Sequence, residues 1–346
     1  MARALQLAAQ GLNTTTPNPR VGCLLVKDGA VVGEGWHERA GEAHAEVHAL
    51  RAAGEAARGA TAYVTLEPCA HHGRTPPCAD ALIEAGVARV VAAMRDPNPL
   101  VSGEGMARLE RAGIVAEVGL MEDDAEKLNI GFVSRMTRGR PWVRVKVAAS
   151  LDGKTALLNG RSQWITGLEA RRHAHGWRAR SCAIMTGSGT VLDDDPSLTV
   201  REVPCTRQPL RVVVDGRLQT PATAKVLAGA GALIFAAQEG RLPNAEVVVA
   251  SSGAGKVDLV GVLDELGRRG INELMVEGGA RLNGALLRAG LVDELLVYQA
   301  PLLIGDQARG MFDLPEALDL AEARRLEVFE RRVLGPDIFL RARLTR

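Results

Sequence analysis

Short apolar runs alternate with stretches of helical spacing along nearly all of this 346-residue chain, and the alternation is interrupted once, at Thr137-Arg138-Gly139-Arg140-Pro141. Strands and helices that take turns bury their apolar faces best as helices layered on a mainly parallel sheet, which restricts the chain to an α/β architecture. Gly and Pro end a helix at the interruption, and a β-rich stretch begins at Trp142. At roughly 150 residues per domain the length accommodates two cores. The break assigns them to residues 1–138 and 142–346.

In the first half, helices are expected over residues 1–9, 44–53, 78–85, 106–112 and 124–136. A hairpin over 21–32 turns at Asp28-Gly29, and strands are expected over 61–66, 88–93 and 114–118. The second half offers short buried strands over 142–149, 183–186, 210–214, 232–236, 247–250, 274–277 and 295–299. Helices fall over 170–179, 259–266 and 282–289, and a closing hairpin over 326–344 turns at Gly335-Pro336.

Chemistry concentrates in one constellation. His44-Ala45-Glu46 opens a helix, Pro68-Cys69 follows a strand, and Cys78 opens another helix. An imidazole and two thiolates suit Zn²⁺, and three protein ligands leave the fourth tetrahedral position for water. Zinc lowers the pKa of such a water to roughly 7, and Glu46 stands where it can take the proton and pass protons to a ring nitrogen and departing ammonia. Nucleobase deaminases carry H-x-E followed by P-C-x-x-C. Here eight residues, Ala70-His71-His72-Gly73-Arg74-Thr75-Pro76-Pro77, separate the cysteines instead of two. The histidines, Arg74 and Thr75 are suited to a phosphate monoester beside the metal. A structural zinc knuckle closed by His71 or His72 is the competing reading, but it has no use for Glu46. His48, one turn after His44, reads as helix surface or core. His37, His173 and His175 belong to no motif.

Composition narrows the partners. With 42 basic and 41 acidic residues the net charge is +1, so no broad field draws polyanions or membranes. Only 4 Trp, 2 Tyr and 5 Phe are present, too few for a stacking platform, which disfavours a general nucleic-acid binder. No apolar run approaches the ~18 residues of a membrane span, and the start is not a signal peptide. Five cysteines, an odd number, suggest reduced thiols and a cytoplasmic protein.

The stretch from His44 to Leu50 and the run Thr65-Leu66-Glu67-Pro68-Cys69 through Cys78 together closely resemble the bifunctional deaminase/reductase family of bacterial riboflavin biosynthesis. Thr16-Pro17-Asn18-Pro19-Arg20-Val21-Gly22 and Asp96-Pro97-Asn98-Pro99 share the likeness, which covers essentially the whole chain. The resemblance implies a cytidine-deaminase-like three-layer domain followed by a dihydrofolate-reductase-like α/β domain. It further implies deamination of 2,5-diamino-6-(5-phosphoribosylamino)pyrimidin-4(3H)-one with Zn²⁺, then NADPH reduction to 5-amino-6-(5-phosphoribitylamino)uracil. His44, Cys69 and Cys78 are then the zinc ligands and Glu46 the proton carrier. A dimer or tetramer assembled through the second domain is also implied, acting on a small phosphorylated pyrimidine rather than nucleic acid or membrane.

Residues alone say less about the second half. No G-x-G-x-x-G follows a strand there. Glu277-Gly278-Gly279 runs from a strand into a helix whose free N–H groups can hold a pyrophosphate. The Gly187 to Pro196 connection, with three consecutive aspartates, reads as a solvated loop. By the resemblance, NADPH meets Ala148, Trp164, Thr190, Asp194 and the turn Gly279, Ala280, Arg281, Leu282, Asn283, Gly284 and Ala285. Substrate meets Ser162, Arg178, Leu198, Arg201 and Glu277. Arg178 and Arg201 are apt for phosphate and Glu277 for ribose hydroxyls. Gly187, Gly189 and Gly216 depart from the family's usual residues and suggest looser cofactor contacts. The enzyme alternative is a cytidine or tRNA-adenosine deaminase fused to an unrelated domain, and the non-enzymatic one is a zinc-binding module.

Overall fold

The computed structural model describes residues 1–71, 76–99 and 101–345. It divides into two compact units, Met1–Arg140 and Pro141–Arg346, and each is described on its own.

The first unit runs α1 (Ala2–Gln10), β1 (Gly22–Lys27), β2 (Ala30–Trp36), α2 (Ala45–Ala53), β3 (Thr61–Val64), α3 (Cys78–Glu84), β4 (Arg89–Ala92), α4 (Glu104–Arg111), β5 (Val115–Val118), α5 (Glu122–Leu128) and α6 (Ile130–Arg138). Its sheet has the order β2-β1-β3-β4-β5. The β1 strand is antiparallel to β2 and β3, while β3, β4 and β5 are parallel. Both faces are covered. Cys23, Leu25, Val64 and Val90 meet Ala49, Leu82 and Leu109 on one side, while Leu66 and Met94 meet Ala125 and Phe132 on the other. Glycines let α2 lie directly on β2: a Cβ at Gly35 would stand 2.4 Å from the Ala45 carbonyl oxygen, and one at Gly33 would stand 2.2 Å from that of Ala49. The helix that begins beside His44 is thereby held at backbone distance from the sheet.

One expected helix is two. Residues 124–136 have unbroken helical spacing, but Asn129 separates α5 from α6. Its fully buried side chain accepts from the Arg20 N–H at 2.8 Å and donates to the Arg20 carbonyl at 2.9 Å. A strand-like pairing with a residue 109 positions away has overridden the local pattern.

The second unit contains β6 (Trp142–Ser150), β7 (Lys154–Ala156), α7 (Leu168–Arg180), β8 (Ala183–Gly187), α8 (Ser188–Asp194), β9 (Leu210–Val214), β10 (Ala232–Ala236), β11 (Ala245–Val249) and α9 (Leu259–Arg268). It continues through β12 (Glu273–Val276), α10 (Ala280–Arg288), β13 (Glu294–Ala300), β14 (Arg309–Gly310), β15 (Leu326–Leu334) and β16 (Asp337–Leu344). The main sheet is ordered β11-β10-β9-β8-β12-β6-β13-β16-β15. It is parallel from β11 to β13, and β16 and β15 complete it antiparallel. Val145, Met185, Leu274 and Val276 centre one core and Ile184, Val213, Ile234 and Met275 another, on opposite faces as alternate strand positions require. The expected loop after β8 is instead the helix α8, because Val191 turns into the core and Asp195, at φ 41°, stops the turn only afterwards.

Candidate active sites

In the first unit, His44 caps α2 with extended backbone, Glu46 lies in that helix's first turn, Cys69 follows β3, and Cys78 begins α3 after Pro77. The helix start adds partial positive charge beside the Cys78 sulfur. His44 Nδ1 lies 3.1 Å from Cys78 Sγ and 3.7 Å from Cys69 Sγ, and the Cys78 backbone N–H donates to Cys69 Sγ at 3.3 Å. The three donor atoms all fall within 4.8 Å of one another. In the pair of cysteines, the Cys78 thiol donates to Cys69 and, with His44, holds Cys69 down at about 4; the same pairing and burial push Cys78 up. A cation bound at this pair would favour both sulfurs as thiolates and release their protons. One nitrogen and two sulfurs, unshared with a fourth His, Cys or carboxylate among the described residues, fit a zinc site with an open position. His71 is exposed and outside the group, while His72, Gly73, Arg74 and Thr75 lie outside the described residues.

Glu46 is 3% exposed. Burial, with the neighbouring Cys69 charge, lifts its carboxyl to about 7. His37, which belonged to no motif, packs edge-on against the His44 ring at 5.4 Å between centroids. It donates from Nδ1 to the Ala43 carbonyl at 3.1 Å and accepts at Nε2 from Asn18 Nδ2 at 3.1 Å. The Asn18 motif and the zinc motif therefore converge in space. His48 lies outside the ligand group.

In the second unit, the candidates gather at the carboxyl ends of the adjacent strands β8, β12 and β6, the usual place for a ligand crevice in a parallel sheet. Arg178 on α7 meets Glu277, just beyond β12, in a two-pronged pair with Nε–Oε1 2.5 Å and Nη2–Oε2 2.9 Å, and its Nη1 donates to the Thr199 carbonyl at 2.9 Å. Lys146 Nζ lies 3.7 Å from Glu277 Oε2. Burial alone would raise the Glu277 carboxyl, but Arg178 and Lys146 overcome it and hold it at about 2. Arg201 donates from Nη1 to Thr199 Oγ1 at 2.8 Å, and its backbone N–H donates to His175 Nδ1 at 3.1 Å. Burial and the two guanidiniums hold His175 down at about 4, which keeps it neutral and able to accept at pH 7. Leu198, at φ 50°, is buried beside this cluster's backbone.

The cofactor candidates are partly brought together. Ser162 Oγ donates to Asp194 Oδ1 at 2.8 Å. Thr190 on α8 faces Gly279, where a Cβ would stand 3.7 Å from its Oγ1. A Cβ at Gly278 would come within 3.0 Å of Asn283 Oδ1, which is buried and has no partner. This glycine-lined entry to α10, with an orphaned acceptor, fits a dinucleotide phosphate and its neighbouring hydroxyls. Ala148 lies on β6 in register with Tyr298 of β13. Trp164 is 67% exposed, with the Arg171 guanidinium 4.6 Å from its ring centre. Gly284 instead backs onto the Asp313 carbonyl, 2.1 Å from where its Cβ would be. Of the three departing glycines, Gly216 has a steric cause, since a Cβ there would stand 2.7 Å from the Gly255 oxygen; Gly187 and Gly189 have room. Lys146 and His175 were missed in the sequence. Their signals were a cation at every second position of β6, Arg144 and Lys146, and a histidine one helical turn before Arg178.

The Arg178–Glu277 pair leads to a testable pH dependence. Its carboxylate pKa lies below the ordinary 4.5, so the pair's contribution is fully present above about pH 4.5 and is lost as pH falls toward 2. The contribution is on the order of 3 kcal/mol. Urea unfolding between pH 7 and 2.5, followed by tryptophan fluorescence, should show this loss, because three of the four tryptophans lie in the second unit. In Arg178→Met the acid-dependent component should shrink; an unchanged pH profile would show that the pair does not set it.

Comparison with known proteins finds relatives for both parts of the chain. Residues 141–340 match the family profile described as RibD C-terminal domain, and residues 1–94 match the cytidine and deoxycytidylate deaminase zinc-binding region. The chain is 53% identical to riboflavin biosynthesis protein RibD of Escherichia coli K12, over 98% of this chain and 97% of that protein. It is 46% identical to the RibD of Aquifex aeolicus, over 88% and 87%. Among solved structures, Acinetobacter baumannii RibD superposes with a TM-score of 0.93 at 45% identity, covering 100% of this chain and 98% of that one. A Thermotoga maritima diaminohydroxyphosphoribosylaminopyrimidine deaminase/5-amino-6-(5-phosphoribosylamino)uracil reductase superposes at 0.90 with 34% identity, covering 100% and 97%.

Proposed function

The chain belongs to the family of bifunctional deaminase/reductases of riboflavin biosynthesis, and on that premise we propose how its residues divide two consecutive reactions. The first hydrolyses an amino group of the diaminopyrimidinone ribotide and releases ammonia; the second reduces the ribosyl unit to a ribityl chain with NADPH. Residues 1–138 carry the deaminase and 142–346 the reductase.

The observation that carries the deaminase reading is a buried carboxyl, Glu46, two residues beyond one ligand of a three-donor pocket. His44, Cys69 and Cys78 would hold zinc, which when bound would supply Lewis acidity that makes water nucleophilic at neutral pH. Glu46 takes one proton from the water at its carboxylate and delivers it to the ring nitrogen, then takes the hydroxyl proton of the resulting adduct and delivers that one to the leaving amine as the carbonyl forms. A carboxyl poised near 7 is matched to both halves of that transfer.

In the reductase, NADPH supplies the hydride, and the chain's task is to place the nicotinamide against the sugar carbon. Ala148, Trp164, Thr190, Asp194 and the turn from Gly279 to Ala285 hold the cofactor. Arg201 meets the substrate phosphate, and Arg178 orients Glu277 toward the ribose hydroxyls, with Ser162 and Leu198 closing the pocket. The substrate is a small phosphorylated pyrimidine. We assign the chain to the cytoplasm, since an odd count of five cysteines suits a reducing compartment. Among the described residues no helix is long and apolar enough to cross a membrane. Assembly as a homo-oligomer through the second unit is supported by exposed apolar residues on its last hairpin, Phe329, Val333 and Ile338.

Incubating the protein with the diaminopyrimidinone ribotide, with and without NADPH, tests both assignments by product mass. Replacement of one amino group by oxygen is expected without NADPH, and a further gain of two hydrogens with it. Turnover of cytidine or tRNA in place of the ribotide would move the protein to another deaminase class.

A further inference from the structure

Glu67 stands two residues before Cys69 and is 5% exposed, yet neither reaction uses it. Both of its carboxylate oxygens face backbone donors. Oε2 accepts from the N–H of Asp96 at 3.1 Å and of Gly103 at 3.0 Å; Oε1 accepts from Gly105 at 2.9 Å and from Met106 at 3.4 Å. These donors span the segment 96–106, which holds the Asp96-Pro97-Asn98-Pro99 motif and the first turn of α4. That segment also presses on the main chain leading to Cys69, because a Cβ at Gly105 would stand 1.9 Å from the Pro68 oxygen. Beyond the cysteine the chain is held again: the Ala79 N–H donates to the Cys69 carbonyl at 3.2 Å, and Arg108 of α4 donates to the Ala70 carbonyl at 3.0 Å.

We propose that Glu67 is a positioning residue of the metal centre: by gathering four backbone N–H groups of the segment 96–106, its carboxylate fixes the main chain into Cys69 and so the place of the sulfur. The inference rests on reading the first unit as a zinc deaminase. Its physical basis is that a carboxylate offers only acceptors to four donors. In Glu67→Gln one oxygen becomes an NH₂ group opposed to two N–H donors, and the clamp loosens without a change of side-chain shape. Partners that orient metal ligands are each worth about 10- to 100-fold in metal affinity.

The test uses the full chain. Zinc affinity is measured by competition with a chromophoric chelator, the ligand-field spectrum of the cobalt-substituted protein reports the sulfur geometry, circular dichroism and thermal melting report folding, and NADPH oxidation on deaminated substrate shows that the second unit is undisturbed. For Glu67→Gln the expected result is a zinc affinity lower by about 10- to 100-fold, altered cobalt bands and an unchanged reductase rate. Should that variant unfold the first unit, Gly105→Ala carries the test with the carboxylate intact, since its added methyl forces the segment off Pro68; the same loss of affinity is expected. Unchanged zinc affinity and cobalt spectrum in the folded variant, even with a lower melting temperature, would overturn the proposal and leave Glu67 a stabilising residue only. Because zinc binding is read directly, absence of ribotide deamination in the parent protein would count against the deaminase assignment and not against this one.

Discussion

Glu46→Gln should keep its zinc, keep its reductase and lose ammonia release by about two to four orders of magnitude, the range that a positioned proton carrier contributes. Glutamine fills the same buried space in the first turn of α2, and Glu46 is not one of the three ligands. What disappears is the one carboxyl of that turn, the group placed to accept a proton and hand it on. The native carboxyl is suited to both steps because burial and the Cys69 charge lift it to about 7, so neither protonation state is strongly preferred at neutral pH. Three readings separate the explanations: zinc content by metal analysis, ammonia release from the ribotide, and NADPH oxidation on substrate already deaminated. Ammonia release within tenfold of the parent would remove Glu46 from the proton path. A joint loss of both activities in a folded protein would instead contradict two independent sites.

How much of this was legible in the sequence depends on the distance over which each feature is specified. The zinc site was readable because its three donors sit in two short motifs, each attached to the start of a helix or the end of a strand, where spacing almost dictates geometry. The pairing of Arg178 with Glu277 joins positions 99 apart, so charge pattern alone offered two apt side chains without revealing that they bind each other. Asn129 escaped for the same reason: its helical neighbours are local, but the Arg20 backbone that turns it away is not. The Gly187 to Pro196 stretch shows the converse failure. Two glycines and three aspartates argue for a loop, and a single buried valine, seated by the tertiary core, is enough to make it helical.

Arg144→Ala should destabilise the second unit by about 3 to 5 kcal/mol, the usual consequence of removing one partner from a buried ion pair. Arg144 is 1% exposed, and both carboxylates it serves, Glu273 and Glu294, are fully buried. Its Nη1 donates to Glu273, its Nε to Glu294 at 3.2 Å, and its guanidinium lies 5.1 Å from the Trp177 ring centre. Arg180 also donates to Glu273 at 2.7 Å, while Trp142 Nε1 donates to Glu294 at 3.0 Å and Arg341 pairs with it as well. These surviving partners place the expected cost toward the lower end of the range, because neither carboxylate is left wholly unpaired. The effect should nevertheless reach the reaction. Arg144, Lys146 and Ala148 alternate along β6, so a shift that relieves Glu273 and Glu294 moves the strand that presents Lys146 to Glu277 and carries Ala148, the proposed cofactor contact. Urea unfolding followed by circular dichroism, together with the midpoint of reductase inactivation, measures the cost, and zinc affinity of the same variant should be unchanged. Arg144→Met separates charge from packing: it retains an apolar side chain of similar reach, and if it proved as stable as the parent, the network would serve to align β6 rather than to hold the unit folded, leaving the fall in reductase rate as its remaining signature.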